Sequence, residues 1–84
     1  MEFEFRFILE GHFNTEDEKV DELADRLFEC GCDDGTFGIS RFIGTIDFTR
    51  EADSLEEAIN SAKKNVEAAG CKIKEIIIND GKTD

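Results

Sequence analysis

Glu2-Phe3-Glu4-Phe5-Arg6-Phe7-Ile8-Leu9-Glu10 alternates apolar and charged residues almost without interruption. Phe3, Phe5, Phe7 and Leu9 recur with period two, so they share one face of a strand, because successive side chains point to opposite sides of the pleat. The other face carries Glu4, Arg6 and Ile8. A strand of this kind belongs to an antiparallel sheet with one side packed and one side open. The rest of the chain has to supply whatever covers the Phe face.

Two helices are legible. Thr15-Glu16-Asp17-Glu18 predicts a capping box, in which hydroxyl and carboxylate satisfy each other's backbone donors. Val20, Leu23, Ala24, Leu27 and Phe28 then form one apolar stripe at helical spacing, and Gly31 is placed to end the helix in the left-handed conformation. Ser54-Leu55-Glu56-Glu57 is a second capping box, followed by the stripe Leu55, Ala58, Ile59, Ala62, Val66 and Ala69, and then Gly70. Between the helices, Thr36–Ser40 and Phe42–Arg50 read as two strands joined by a tight hairpin. In the second of them Phe42, Ile46 and Phe48 share the core face, opposite Ile43, Thr45, Asp47 and Thr49. Ile73–Ile78 is a dense β-branched run, closed by Asn79-Asp80-Gly81.

The order strand, helix, strand, strand, helix, strand predicts an α+β, ferredoxin-like βαββαβ sandwich: a four-stranded antiparallel sheet with both helices on one face. Right-handed crossovers put the first and third strands in the centre, where the Phe content is highest. Residues 1–79 make a single domain, and 80–84 read as a polar C-terminal tail.

Composition narrows the function. The 10 basic and 21 acidic residues give 10 − 21 = −11, a balance that argues against direct contact with nucleic acid or with an anionic membrane surface. It suits a basic protein partner, or an acidic surface that keeps the chain in solution. The charged N-terminus is unlike a signal peptide, no run approaches a membrane span, and three Cys suit a reducing compartment. A cytoplasmic location follows as the expectation.

No catalytic or cofactor constellation is expected. Cys30 and Cys32 are spaced C-x-C at a helix end, whereas thiolate carriers use C-x-x-C in the first loop. The topology predicts Cys71 a strand length away from them, so they read as packing residues. His12 reads as a loop histidine without a partner, and Gly35 and Gly38 as turn and bulge residues rather than a phosphate loop. An RNA-recognition surface fails on the alternation: the aromatics of the central strands all go to the core, leaving no stacking platform. The expectation is therefore a non-enzyme with no metal and no cofactor.

What remains is the open sheet face. Ile8, Ile43 and Thr45, with Ile77 or its neighbours Ile76 and Ile78, form a candidate apolar patch for sheet or edge pairing, in a homodimer or with a protein partner. Asp33 and Asp34 are more acid than a helix stop requires, and join the candidate surface as charge presented to a partner.

Two stretches, Cys30-Gly31-Cys32-Asp33-Asp34 and Asp47-Phe48-Thr49-Arg50-Glu51-Ala52-Asp53-Ser54-Leu55-Glu56-Glu57-Ala58, resemble a GCDD…FxREAxSLxEAI pattern of small uncharacterised bacterial proteins. Longer members of that group carry a helix-turn-helix segment after the domain and are labelled as regulators. The resemblance implies a regulatory or interaction module. The sequence reaches Asp84 without such a segment, so no DNA-reading residue is carried over. Two other readings stand beside this one. One is an acidic decoy or antagonist of a basic nucleic-acid-binding protein, suggested by the acids of the helix from Thr15 to Glu29. The other is a small-molecule-sensing regulatory domain.

Overall fold

The computed structural model describes residues 1–79 and gives the element order β1 (Glu2–Leu9), α1 (Glu18–Glu29), β2 (Gly35–Ser40), β3 (Ile43–Glu51), α2 (Leu55–Ala68) and β4 (Ile73–Asn79). The strands form one antiparallel sheet in the order β2-β3-β1-β4, the ferredoxin-like arrangement, with β3 and β1 central. The polar tail expected at 80–84 lies outside the described residues.

Register explains the core. Phe5 pairs with Phe48 and Phe7 with Ile46, so the apolar faces of β1 and β3 coincide. The Phe5, Phe7 and Phe48 rings meet with centroids 5.3–5.4 Å apart, in stacked and tilted contacts that add to their area burial. Above these large rings α2 presents Ala58, Ala62, Val66 and Ala69, all buried. Small helix residues over large strand residues let the two layers interdigitate.

Both helices stop in the same way. At the end of α1, Cys30 is the C-cap and Gly31 takes φ +104°, while Gly31 N donates to Phe28 O at 3.2 Å and Cys32 N to Leu27 O at 3.0 Å. At the end of α2, Ala69 is the C-cap and Gly70 takes φ +92°, with Gly70 N to Glu67 O at 3.0 Å and Cys71 N to Val66 O at 3.3 Å. Each is a Schellman motif, in which the residue after the left-handed glycine also packs back on the last helical turn. Cys32 and Cys71 occupy that residue in the two copies. A small apolar side chain is what the position asks for.

Four local expectations are corrected. The cap of α1 is Asp17, whose carboxylate accepts from Lys19 N at 3.0 Å, and not Thr15. Asn14 closes a turn first, accepting from Glu16 N with its side chain and from Asp17 N with its backbone, and Asp caps better than Thr. Phe42 leaves the core face of the second hairpin strand. It lies in the two-residue hairpin loop Arg41-Phe42, where both φ angles are positive, and is 52% exposed. Phe28 leaves the α1 stripe: Leu23 and Leu27 face the sheet, while Phe28 is 66% exposed beyond the edge, where no further strand covers it. Gly35 and Gly38 belong to the β2 ladder, which runs in unbroken register with β3.

Candidate functional site

Of the residues singled out from sequence, Ile8, Ile43, Thr45 and Ile77 share the open face. Ile8 lies opposite Thr45 on β3 and Glu75 on β4, and Ile77 lies opposite Arg6. Ile43, Ile8 and Ile77 therefore run diagonally across three strands, each about 7–8 Å from the next, close enough for side chains of this size to meet. Ile43 and Ile77 are 47% and 42% exposed, while Ile8 and Thr45 are half-buried. Beside the band, Arg6 and Asp47 face each other in register and form a two-pronged ion pair, Nε to Oδ1 and Nη2 to Oδ2. Asp47 holds the Arg6 guanidinium above its ordinary range, by hydrogen bonding first and charge second. The pair lines a shallow depression together with Glu4, Thr49 and Ile77.

Asp33 and Asp34 do not join this patch. They precede β2 at the end away from the hairpin, and Asp34 has a structural task. Arg50 Nε and Nη2 donate to its two carboxylate oxygens at 2.7 and 2.8 Å. Arg50 Nη1 reaches Ser61 Oγ and Asn65 Oδ1, both at 2.9 Å, and Nη2 also donates to Gly31 O at 2.9 Å. All five guanidinium donors are thus used, and the group lies 5.2 Å from the Phe48 ring centroid. One side chain ties the α1 stop, the start of β2, the end of β3 and the middle of α2. Asp34 raises the Arg50 guanidinium further, chiefly through the hydrogen bonds. Asp33 remains exposed.

Sequence reading missed this hub, although a signal was there. Arg50 has the same parity as Ile46 and Phe48, and a charge on the core face of a strand demands partners.

The cysteines are also nearer one another than the expected strand length. Asn65 bonds Arg50 together with Gly31 O, and only six residues, about 9 Å of helical rise, separate Asn65 from Cys71. Arg26 of α1 spans the same gap, with Nε 3.1 Å from Ala69 O. These contacts set the last turns of the two helices side by side, with Arg26 beside Ala69 and Gly31 beside Asn65. Burial pushes the Cys32 thiol up to about 11, against the opposing charge of Arg50, and Asp34, Cys30 and Cys71 raise it further. Burial likewise raises Cys71. Thiols held protonated in this way are poor nucleophiles and poor ligands. Among the described residues no three His, Cys, Asp or Glu side chains converge as a metal site would require.

Two further features lie at the margins of the sheet. At the hairpin pole, His12 stacks on Phe42 with centroids 4.5 Å apart and planes 14° apart, and Phe13 N donates to Phe42 O at 2.9 Å. The partner of the histidine is thus a ring. At the β2 edge, a groove runs between α1 and the strand, lined by Ala24, Leu27, Phe28, Gly35, Thr36 and Phe37. No helix of the described residues is long and apolar enough to cross a membrane. Comparison with protein-family models, with curated proteins and with solved structures finds no match.

Proposed function

We propose that this chain is a small, non-enzymatic regulatory or protein-interaction module of the bacterial cytoplasm, which associates with a protein partner or a second copy through the open face or an edge of its sheet. The observation that carries the reading is the diagonal of Ile43, Ile8 and Ile77 on a sheet face that neither helix covers, with two of its three isoleucines more than 40% exposed. Apolar side chains on an open sheet gain by being covered, at roughly 25 cal/mol per Å² removed from water. Functional chemistry of another kind has less support. Among the described residues the titratable groups with shifted affinities are the thiols of buried Cys32 and half-buried Cys71 and two arginines already engaged by carboxylates.

A decoy reading has one observation in its favour. Glu18, Asp21, Glu22, Asp25 and Glu29 are all exposed along α1, a surface suited to a basic partner.

The experiment is a mass measurement by light scattering, with crosslinking and pulldown from a native host, on the parent chain and on Ile43→Lys/Ile77→Lys. A dimer of twice 9.5 kDa, or a captured partner, lost in the double variant, supports the open face. Association that is unchanged in the variant and dissolves in salt supports the acidic helix instead. A monomer with no captured partner overturns both.

A further inference from the structure

The edge strand β2 is unusual in carrying no guard. Its residues Gly35-Thr36-Phe37-Gly38-Ile39-Ser40 include no charge and no proline, which are the devices that keep edges from pairing. The opposite edge, β4, carries Lys74 and Glu75. Asp34 O accepts from Thr49 N at 3.2 Å, which sets the hydrogen-bonded positions of β2 at Thr36, Gly38 and Ser40. The N–H and C=O groups of Phe37 and Ile39 therefore point outward, along the free edge.

Beside that edge lies the α1 groove, where Phe28 stands exposed next to Phe37. The helical wheel orders what flanks it. Arg26 faces α2, where it bonds Ala69 O, so the side of α1 turned to the edge runs from Ala24 and Phe28 to Asp21 and Asp25. An apolar slot with an acidic outer rim and a row of free backbone groups is the arrangement in which domains take up an extended peptide as an added strand.

We propose that β2 and α1 together bind an extended, basic segment of another protein as a fifth strand, a reading that rests on the interaction module proposed above and names its ligand. On the α1 side such a segment sets an apolar residue against Phe28 and Phe37, and Lys or Arg at the next two alternate positions against Asp25 and Asp21. Spacing agrees. Asp25 and Asp21 stand about 4.5 and 10.5 Å from Phe28 along the helix axis, and alternate strand residues recur every ~6.6 Å, a mismatch that long basic side chains absorb. Six residues of β2 offer about 20 Å of edge. A second copy of this chain fits poorly as the occupant, since it brings its own −11 to an acidic rim.

The test uses a labelled octapeptide with leucine, lysine and lysine at alternate positions and serine and threonine between, titrated into the whole chain by fluorescence anisotropy. Amide shifts of the isotopically labelled chain locate the binding. Expected are saturable binding, shifts centred on Phe37, Ile39 and α1, and loss of about tenfold or more in affinity in Phe28→Ala. That variant is chosen because its side chain is already exposed, and circular dichroism checks its fold. The peptide with glutamates for lysines, and the one N-methylated at alternate amides, should both fail to bind. Absence of saturable binding, or binding indifferent to N-methylation and to Phe28→Ala, overturns the proposal. If the peptide fails while association sensitive to Ile43→Lys/Ile77→Lys persists, the assignment to β2 falls and the open-face reading stands. Self-association lost in Phe28→Ala overturns the basic ligand in favour of a second copy.

Discussion

Arg50 grips Asp34 with two parallel hydrogen bonds of 2.7 and 2.8 Å, and its three remaining donors hold Ser61, Asn65 and the Gly31 carbonyl. The Arg50 side chain is 11% exposed and that of Asp34 32%. Replacing Arg50 by Met removes every donor from a largely buried site and leaves the Asp34 carboxylate and the Gly31 carbonyl without them. Breaking a fully buried pair costs 3–5 kcal/mol, and the partial exposure of Asp34 lowers the expectation here to about 2–3 kcal/mol. Arg50→Lys keeps the charge but not the planar fork, so it should recover only part of that loss. Urea unfolding of the three proteins checks the order. Equal stability of Arg50→Met and the parent would remove Arg50 from its place as the link between the α1 stop and α2.

Gly31 and Gly70 do the same job at two helix ends, which makes them a matched pair. Both hold φ near +100°, a conformation that costs an L-residue about 1 kcal/mol. Space distinguishes them: a Cβ on Gly31 would come within 2.9 Å of Asn65 Nδ2, whereas one on Gly70 would meet nothing within 4 Å. Gly70→Ala should therefore cost about 1 kcal/mol. Gly31→Ala should cost about 1–2 kcal/mol more, since Asn65 is itself held by Arg50 and cannot yield freely. In the Asn65→Ala background the two alanine substitutions should converge, and a gap that survives there would place the difference elsewhere.

The large-scale fold was legible because its signals were redundant. Phe3, Phe5 and Phe7 state the strand and its buried face together, and Ser54 with Glu57 marks the start of α2, where the Ser54 hydroxyl accepts from Glu57 N at 3.2 Å. The candidate surface was legible only in part. Ile8, Ile43 and Thr45 follow from parity, which sequence carries directly, whereas in the unbroken run Ile76-Ile77-Ile78 only the register with Arg6 singles out Ile77 for the open face. Phe28 and Phe42 were misplaced because each matches the period of its element while lying where the fold has run out of cover, at the sheet edge and in the loop. Asp34 looks like free charge in the sequence because its partner is sixteen residues away, on β3. Long-range pairing of that kind has no periodic signature.

The hairpin loop asks for glycine or asparagine and has neither. Arg41 and Phe42 both adopt positive φ, 52° and 66°, as residues of a two-residue loop matched to the strand twist must. Asn tolerates this conformation better, so Arg41→Asn should stabilise the chain by about 0.5–1 kcal/mol. Phe42→Gly relieves similar strain but removes the ring stacked on His12, a contact worth up to about 1 kcal/mol. Its net effect should lie near zero. Thermal melts of the two variants separate the contributions, and a clear destabilisation by Arg41→Asn would show that the arginine side chain does something beyond occupying the turn.

The last prediction concerns alkaline pH. Cys32 titrates near 9.0 when free of its surroundings and is pushed up to about 11 in the fold by burial, with Cys71 raised for the same reason. Between these values the unfolded chain has released the Cys32 proton and the folded chain has kept it. The unfolded state then binds fewer protons, so the slope of stability with pH is negative. The stabilising contribution of the protonated thiol is fully present at neutral pH, begins to fall near 9, and is gone above about 11. Urea midpoints measured across that window should decline in the parent and decline less steeply in Cys32→Ala. Neutral-pH stability of the variant should drop as well, because the side chain that closes the α1 stop is shortened. The chain has no tyrosine, so the ultraviolet signal of the thiolate can be followed directly without phenolate absorbance beneath it. Parallel declines in parent and variant would mean that the buried thiol titrates as it does in water, and that the end of α1 is open to solvent.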